Sequence, residues 1–161
     1  QFTLREVLYR TINISDNCGY YMLVDRFGRD GYNRWLDSLG VQYLHLLRPT
    51  SNWTSVCTRD LAIIWNEIYS YYQTGTLTAK TMFNYFLNAQ YNYLKVLLPG
   101  YQIAHKSGWT QTTFNDAGIV LEHSEGPYLI AILTSDREGN ILCPLAKYLD
   151  EIMVDYFNWL D

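Results

Sequence analysis

Two short clusters in this 161-residue sequence carry residue types that could act on one ligand: Ser15-Asp16-Asn17 and Lys106-Ser107-Gly108. A lysine ammonium beside a hydroxyl suits a carboxylate, because the charge attracts it and the hydroxyl gives a directed donor. The adjoining glycine lets another group approach the backbone closely. Each cluster alone also has a plain structural reading. Ser-Asp-Asn at a helix start is ordinary N-cap chemistry, and Lys-Ser-Gly at a strand end is ordinary turn composition. The histidines add little. His45 and His123 read as surface or capping residues, and His105, next to Lys106, points to the opposite face of a strand and reads as structural. Cys18, Cys57 and Cys143 form no Cys-x-x-Cys, so the pattern predicts buried or partly buried thiols, no metal site and no cofactor.

Helices must carry the first cluster and strands the second. Thr3-Leu4-Arg5-Glu6 is a capping box that opens a helix over residues 4–12. Asp16 or Ser15 caps a second helix whose inner face is Tyr20, Leu23, Val24 and Phe27, ended by Gly28. Asp30 caps a third, stopped by Gly40. Residues 41–57 show no steady period, and Pro49, Thr50, Ser51 and Asn52 are turn formers, so this is a long loop. Thr58 caps a strong helix with Leu61, Ile64, Trp65, Ile68 and Tyr72 inward, and Asp60 sits in its first turn, where the dipole favours an acid. Gly75 breaks it. A further helix covers 79–89, and 90–98 is ambiguous.

After Pro99-Gly100 the period changes to that of strands, over 101–107, 116–123 and 128–134. Pro144 then opens a last helix at its favoured first position, with the stripe Leu145, Tyr148, Leu149, Ile152, Met153, Tyr156, Phe157 and Leu160. Helices followed by strands imply α+β: a helical part over 1–98, then a three-stranded antiparallel sheet with a C-terminal helix packed on it over 99–161, in one compact unit. Short hairpins make 116–123 the middle strand.

A hydrophobic content of 48%, with 17% charged residues, predicts a globular chain with a real core. A net charge of −4 argues against nucleic acid or an anionic membrane as partner. No apolar run reaches the roughly 20 residues of a membrane span. The first residues already read as helix, which suggests that a parent chain extends upstream.

Taken together and in order, the clusters and their surroundings resemble the class A β-lactamase and penicillin-binding family of serine hydrolases. The matching stretches run from Leu4 through Ser15-Asp16-Asn17 to Asp25, Arg26 and Gly28. They continue with Thr58-Arg59-Asp60-Leu61-Ala62, then His105-Lys106-Ser107-Gly108 and Asn115-Asp116-Ala117-Gly118-Ile119-Val120. The resemblance implies an acyl-enzyme mechanism on a small β-lactam or a peptidoglycan peptide, in a bacterial protein exported to the periplasm or cell surface. It makes Ser15 and Lys106 catalytic, Ser15 passing a proton to the leaving nitrogen and Lys106 easing that transfer. Asn17 would bind the substrate's side-chain amide, Ser107 and Gly108 would receive its carboxylate, and the Trp109 N–H would donate to the oxyanion. Ser15 and Lys106 are then expected within about 2.7–3.5 Å, directly or through one water.

Two departures from the family pattern matter. No Ser-x-x-Lys occurs here, so nucleophile and lysine base are absent and this chain alone is expected to be inactive. The loop lacks the family's Glu-x-x-Leu-Asn, and no acid lies between Asp37 and Asp60, so acyl release is expected to be slow. The family's N-terminal strands are also absent, which leaves the 128–134 strand an open edge able to pair with another chain. The alternative from another class is a non-catalytic binding or regulatory module of the same fold.

Overall fold

The computed structural model describes residues 1–46, 54–91, 93–123, 126–136, 138 and 140–160. The expected turn at Pro49, Thr50, Ser51 and Asn52 lies outside them. The fold is α+β, with helices preceding a three-stranded antiparallel sheet and one long helix after it. By packing, the chain divides into two units, Gln1–Tyr85 and Phe86–Asp161. The second begins before the helix-to-strand change at 98/99, because Leu94, Leu97 and Leu98 belong to the core of the sheet.

In the first unit, α1 (Leu4–Asn13) starts at the expected capping box, with Thr3 and Glu6 bonding each other's backbone N–H. It packs on α2 (Asn17–Phe27) at close range: a Cβ on Gly19 would lie 2.5 Å from Thr11 Oγ1. Gly28 ends α2 at φ 72°, the left-handed region that glycine enters without strain. Two expected caps move by one residue. The N-cap of α3 (Asp30–Ser38) is Arg29, whose side chain makes no capping bond, and Asp30 lies in the first turn, where it suits the dipole. The N-cap of α4 (Thr58–Gln73) is Cys57, whose Sγ accepts from Asp60 N at 3.4 Å, so Thr58 is the first helical residue. In α5 (Leu77–Leu87), Phe83 is fully buried and stacks on Tyr72 with ring centroids 4.0 Å apart.

In the second unit, the ambiguous stretch holds the short helix α6 (Tyr93–Leu97). Strands β1 (Ile103–Trp109), β2 (Phe114–Val120) and β3 (Tyr128–Thr134) follow in the order β1-β2-β3. The β1–β2 hairpin reaches further toward its turn than expected, because the ladder continues to the Trp109–Phe114 pair and Thr110 N bonds Thr113 O at 3.0 Å. One sheet face, with Ile103, Val120, Tyr128, Ile130 and Ile132, packs under α6 and under α7 (Leu142–Leu160). Pro144 is the third residue of α7 rather than the first, still in the turn whose N–H groups lack intrahelical acceptors.

The expected stripe of α7 is wider than the face it covers. Leu145, Leu149 and Met153 pack on the core, whereas Tyr148, Ile152, Tyr156 and Leu160 are exposed. His123 is not a surface residue: it is buried, with the rings of Tyr101, Tyr128 and Phe157 at 5.7, 5.5 and 5.5 Å. Cys57 is half-buried, within the expectation of buried or partly buried thiols, whereas Cys18 and Cys143 are exposed, against it; all three are free. Among the described residues no helix is long and apolar enough to cross a membrane, and no strand lies within residues 1–100.

Candidate active site

The first unit supplies Ser15, Asp16 and Asn17 at the α1–α2 junction. Asp16 holds the junction in place. Its carboxylate caps α2 through Cys18 N at 2.9 Å and accepts from Arg10 Nε at 2.8 Å, while its own N–H bonds Arg10 O at 3.0 Å. The Arg10 bond is the main cause that holds this carboxyl below its ordinary value. With Asp16 anchored on α1, Ser15 takes φ 58°, the one non-glycine residue with positive φ among those described. A serine in that region costs on the order of 1–3 kcal/mol, and such conformations collect where function fixes the backbone. Asn17, the first residue of α2, is exposed.

The same unit fixes the start of the long loop through Asp60. This side chain is fully buried, and its two oxygens accept from Gln42 N at 3.0 Å, Tyr43 N at 2.7 Å and Leu44 N at 3.1 Å. Burial pushes its carboxyl up, but these N–H groups and the Cys57 thiol outweigh that and leave it below its ordinary value. His45, on the same loop, is held by Asp37 at 2.9 Å.

The second unit supplies β1. Lys106 is half-buried, and its Nζ donates to Ser107 O at 2.8 Å. Burial pushes its ammonium below the ordinary lysine value, and the charge of Asp116 acts in the opposite sense. Ser107 is its neighbour on the strand and therefore points to the other face. It is buried there and its Oγ donates to Tyr91 O at 2.9 Å, so its proton is engaged within the protein. A Cβ on Gly108 would meet nothing within 4 Å, so no internal packing requires glycine there. Trp109 is exposed at the strand end, edge-on to Tyr91 at 4.7 Å.

Two residues outside the expected site complete this half. His105 and Asp116 are both fully buried, with His105 Nδ1 3.0 and 3.1 Å from the two carboxylate oxygens, and Asp116 also accepts from Leu94 N at 3.2 Å. An acid in β2 ahead of the run Ala117-Gly118-Ile119-Val120 was the sequence signal for this pair, since a buried charge requires partners. Ser15 and Asn17 thus share one unit, and Lys106, Ser107, Gly108 and Trp109 share the other.

A family model described as the β-lactamase enzyme family matches residues 1–148. The chain belongs to the β-lactamase enzyme family. Among solved structures it is similar to PBP-A, with a TM-score of 0.80 and 23% identity over 97% of this chain and 63% of that one. A PBP-A mutant, solved as an acyl-enzyme complex with penicillin G, is as close, with a TM-score of 0.79. The TLA-3 extended-spectrum β-lactamase gives a TM-score of 0.79 and 20% identity over 95% of this chain and 65% of that one. A class A β-lactamase representative from Bacteroides cellulosilyticus gives 0.77 and 22% over 91% and 62%. At these identities the likeness is one of fold. No curated protein sequence matches the chain. This β-lactamase-family chain spans 63% of the length of PBP-A and 65% of TLA-3.

Proposed function

We propose that this chain is part of a serine acyl-transfer hydrolase acting on β-lactams or D-alanyl peptides, with the nucleophile outside these 161 residues. The observation that carries the reading is the left-handed Ser15, held by an anchored Asp16, at the position the family resemblance assigns to proton transfer. Family membership over residues 1–148 and the absence of Ser-x-x-Lys support it.

In this reading a serine hydroxyl from elsewhere in the full protein attacks the amide carbonyl and an acyl-enzyme forms. Ser15 passes the proton to the leaving nitrogen as the C–N bond breaks. The family resemblance makes Lys106 the cation that eases that transfer and attracts the substrate carboxylate. Gly108, with open space where a Cβ would be, leaves room for the substrate. Asn17 meets the side-chain amide, and the Trp109 N–H donates to the oxyanion. Ser107, buried on the other face of β1 with its hydroxyl donated to Tyr91 O, braces the strand, and the carboxylate falls to Lys106 in this reading. Hydrolysis of the ester needs a base for water, and such a base contributes typically about 10²–10⁴-fold. No acid lies between Asp37 and Asp60, and His45 is engaged with Asp37, so the acyl group is released slowly.

The exported location and a pairing partner for the β3 edge belong to the same proposal. Covalent labelling tests the central reading. A polypeptide that joins this chain to a Ser-x-x-Lys segment takes up fluorescent penicillin, and Ser15→Ala or Lys106→Ala slows that uptake about 10²-fold or more, the scale of one proton-transfer or charge contribution. Unchanged labelling in both variants would remove these residues from the site. A full-length sequence without Ser-x-x-Lys would favour the non-catalytic module instead.

A further inference from the structure

We propose that the outer side of β3 is an interface for a second copy of this chain, the two β3 strands pairing antiparallel about a two-fold axis at Ala131. This goes beyond acyl transfer and stands or falls apart from it.

The strand lies at the rim of the sheet. β2 pairs with one side of it, and among the described residues no strand pairs with the other. The outward N–H and C=O groups of such an edge can receive another strand, and natural edges are guarded by charges, proline, bulges or short length. None of these guards is present in β3. Tyr128–Thr134 holds no charged residue, no proline and no glycine, and its seven pairs with β2 run without interruption. Seven residues is not short for a strand.

The order of the residues says what this edge fits. Leu129-Ile130-Ala131-Ile132-Leu133 reads the same in both directions. Antiparallel pairing through Ala131 therefore sets Ile130 opposite Ile132 of the second copy, and Leu129 opposite Leu133 of the second copy. Symmetry makes each of these contacts occur twice. Ile130 and Ile132 belong to the core of the sheet, so the pairing carries one core into the next. On the other face Leu129 is 37% exposed, and Ala131 and Leu133 are half-buried. There leucine meets leucine, and the small Ala131 sits at the axis.

The helix over β3 adds area. α6 packs on β1 and β2 and α7 on β3, so α7 is the helix nearest the axis. A two-fold axis normal to the sheet leaves both copies of α7 on the same face. Beside the covered row of Leu145, Leu149 and Met153, this helix exposes Tyr148, Tyr156 and Trp159 by 60%, 51% and 79%. A whole aromatic side chain buries roughly 150–250 Å², so these three offer about 300–500 Å² per chain. A stable interface needs at least about 500 Å² per partner, and the strand edge adds to what α7 offers.

Sedimentation equilibrium of the 161-residue chain tests the proposal. The wild type should pass from monomer to dimer with rising concentration and stop there, because a two-fold contact closes on itself. Leu129→Lys, at the most exposed position of β3, sets a lysine opposite Leu133 of the second copy. It should raise the dissociation constant at least about tenfold, since edge lysines block pairing and symmetry doubles the loss. Adding Leu133→Glu sets each lysine against a glutamate and should bring the constant back toward the wild-type value. A wild type that stays monomeric at about 1 mM, or that grows into open-ended assemblies, would overturn the proposal. So would a folded Leu129→Lys chain that dimerises as well as the wild type, or a double variant no tighter than Leu129→Lys. Slow hydrogen exchange along 128–134 in a monomer would assign the edge to another segment of the same chain and overturn it too. Should the variants fail to fold, NMR on mixed ¹³C-labelled and unlabelled wild type decides. Contacts between Ile130 and Ile132 methyls of different copies support the pairing, and a dimer without them overturns it.

Discussion

Replacing Asp60 should release the start of the loop before α4, and the size of the effect follows from its hydrogen bonds. Oδ1 accepts from Gln42 N, and Oδ2 accepts from both Tyr43 N and Leu44 N. Bonds to a charged group contribute about 1.5–3 kcal/mol each. Their plain sum overstates the loss, because residues 42 and 43 are exposed and water can reach their freed N–H groups. Asp60→Ala should therefore cost about 3–5 kcal/mol, the range for breaking a buried charged network. Asp60→Asn can keep its oxygen on Tyr43 and Leu44 and lose only Gln42. It should cost about 2 kcal/mol, one charged bond lost and two reduced to neutral strength.

Chemical denaturation gives these energies, and hydrogen exchange at residues 42–44 locates them. The pH dependence adds a sign. The folded carboxyl lies below its ordinary value, so its stabilisation is complete above the unfolded value of about 3.9 and fades as pH falls through the folded value. An Asp60→Ala chain within about 0.5 kcal/mol of wild type, the usual range of an unimportant surface change, would refute the clamp.

Three further outcomes are expected. Gly118→Ala meets backbone at 2.2 Å and should destabilise the sheet by about 1–3 kcal/mol or more, read from thermal unfolding. Asp16→Asn loses the charged bond to Arg10, so it should raise exchange at the Cys18 amide and weaken acylation of the full-length protein. Tyr128→Phe removes the hydrogen bond to Asp150 that joins β3 to α7, at a cost of about 1 kcal/mol, measured by denaturation.

Much of this arrangement was legible in the sequence wherever a local rule decides the outcome. The Thr3–Glu6 box, Asp16 before α2, Gly28 after it and the order of the strands depend on neighbours only a few residues away. Where contacts come from far along the chain, the sequence was silent. Nothing near His123 announces the three rings that bury it, and the α7 stripe does not say that the sheet covers only one side of it. Cys57 capped α4 through sulfur, a weak acceptor that the cap rules rank below the hydroxyl of Thr58. For the site, alternation along β1 placed His105 opposite Lys106, but its partner Asp116 stands eleven residues away across a hairpin. The engagement of Ser107 with Tyr91 O was likewise out of reach, because it depends on where the chain enters α6.

Intact-mass spectrometry after exposure to penicillin tests the central claim most directly. The account predicts no covalent adduct on the 161-residue chain by itself. It predicts a stoichiometric, slowly released acyl adduct on a polypeptide that also carries Ser-x-x-Lys. An adduct on the isolated chain, or rapid multiple turnovers by the longer one, would contradict it.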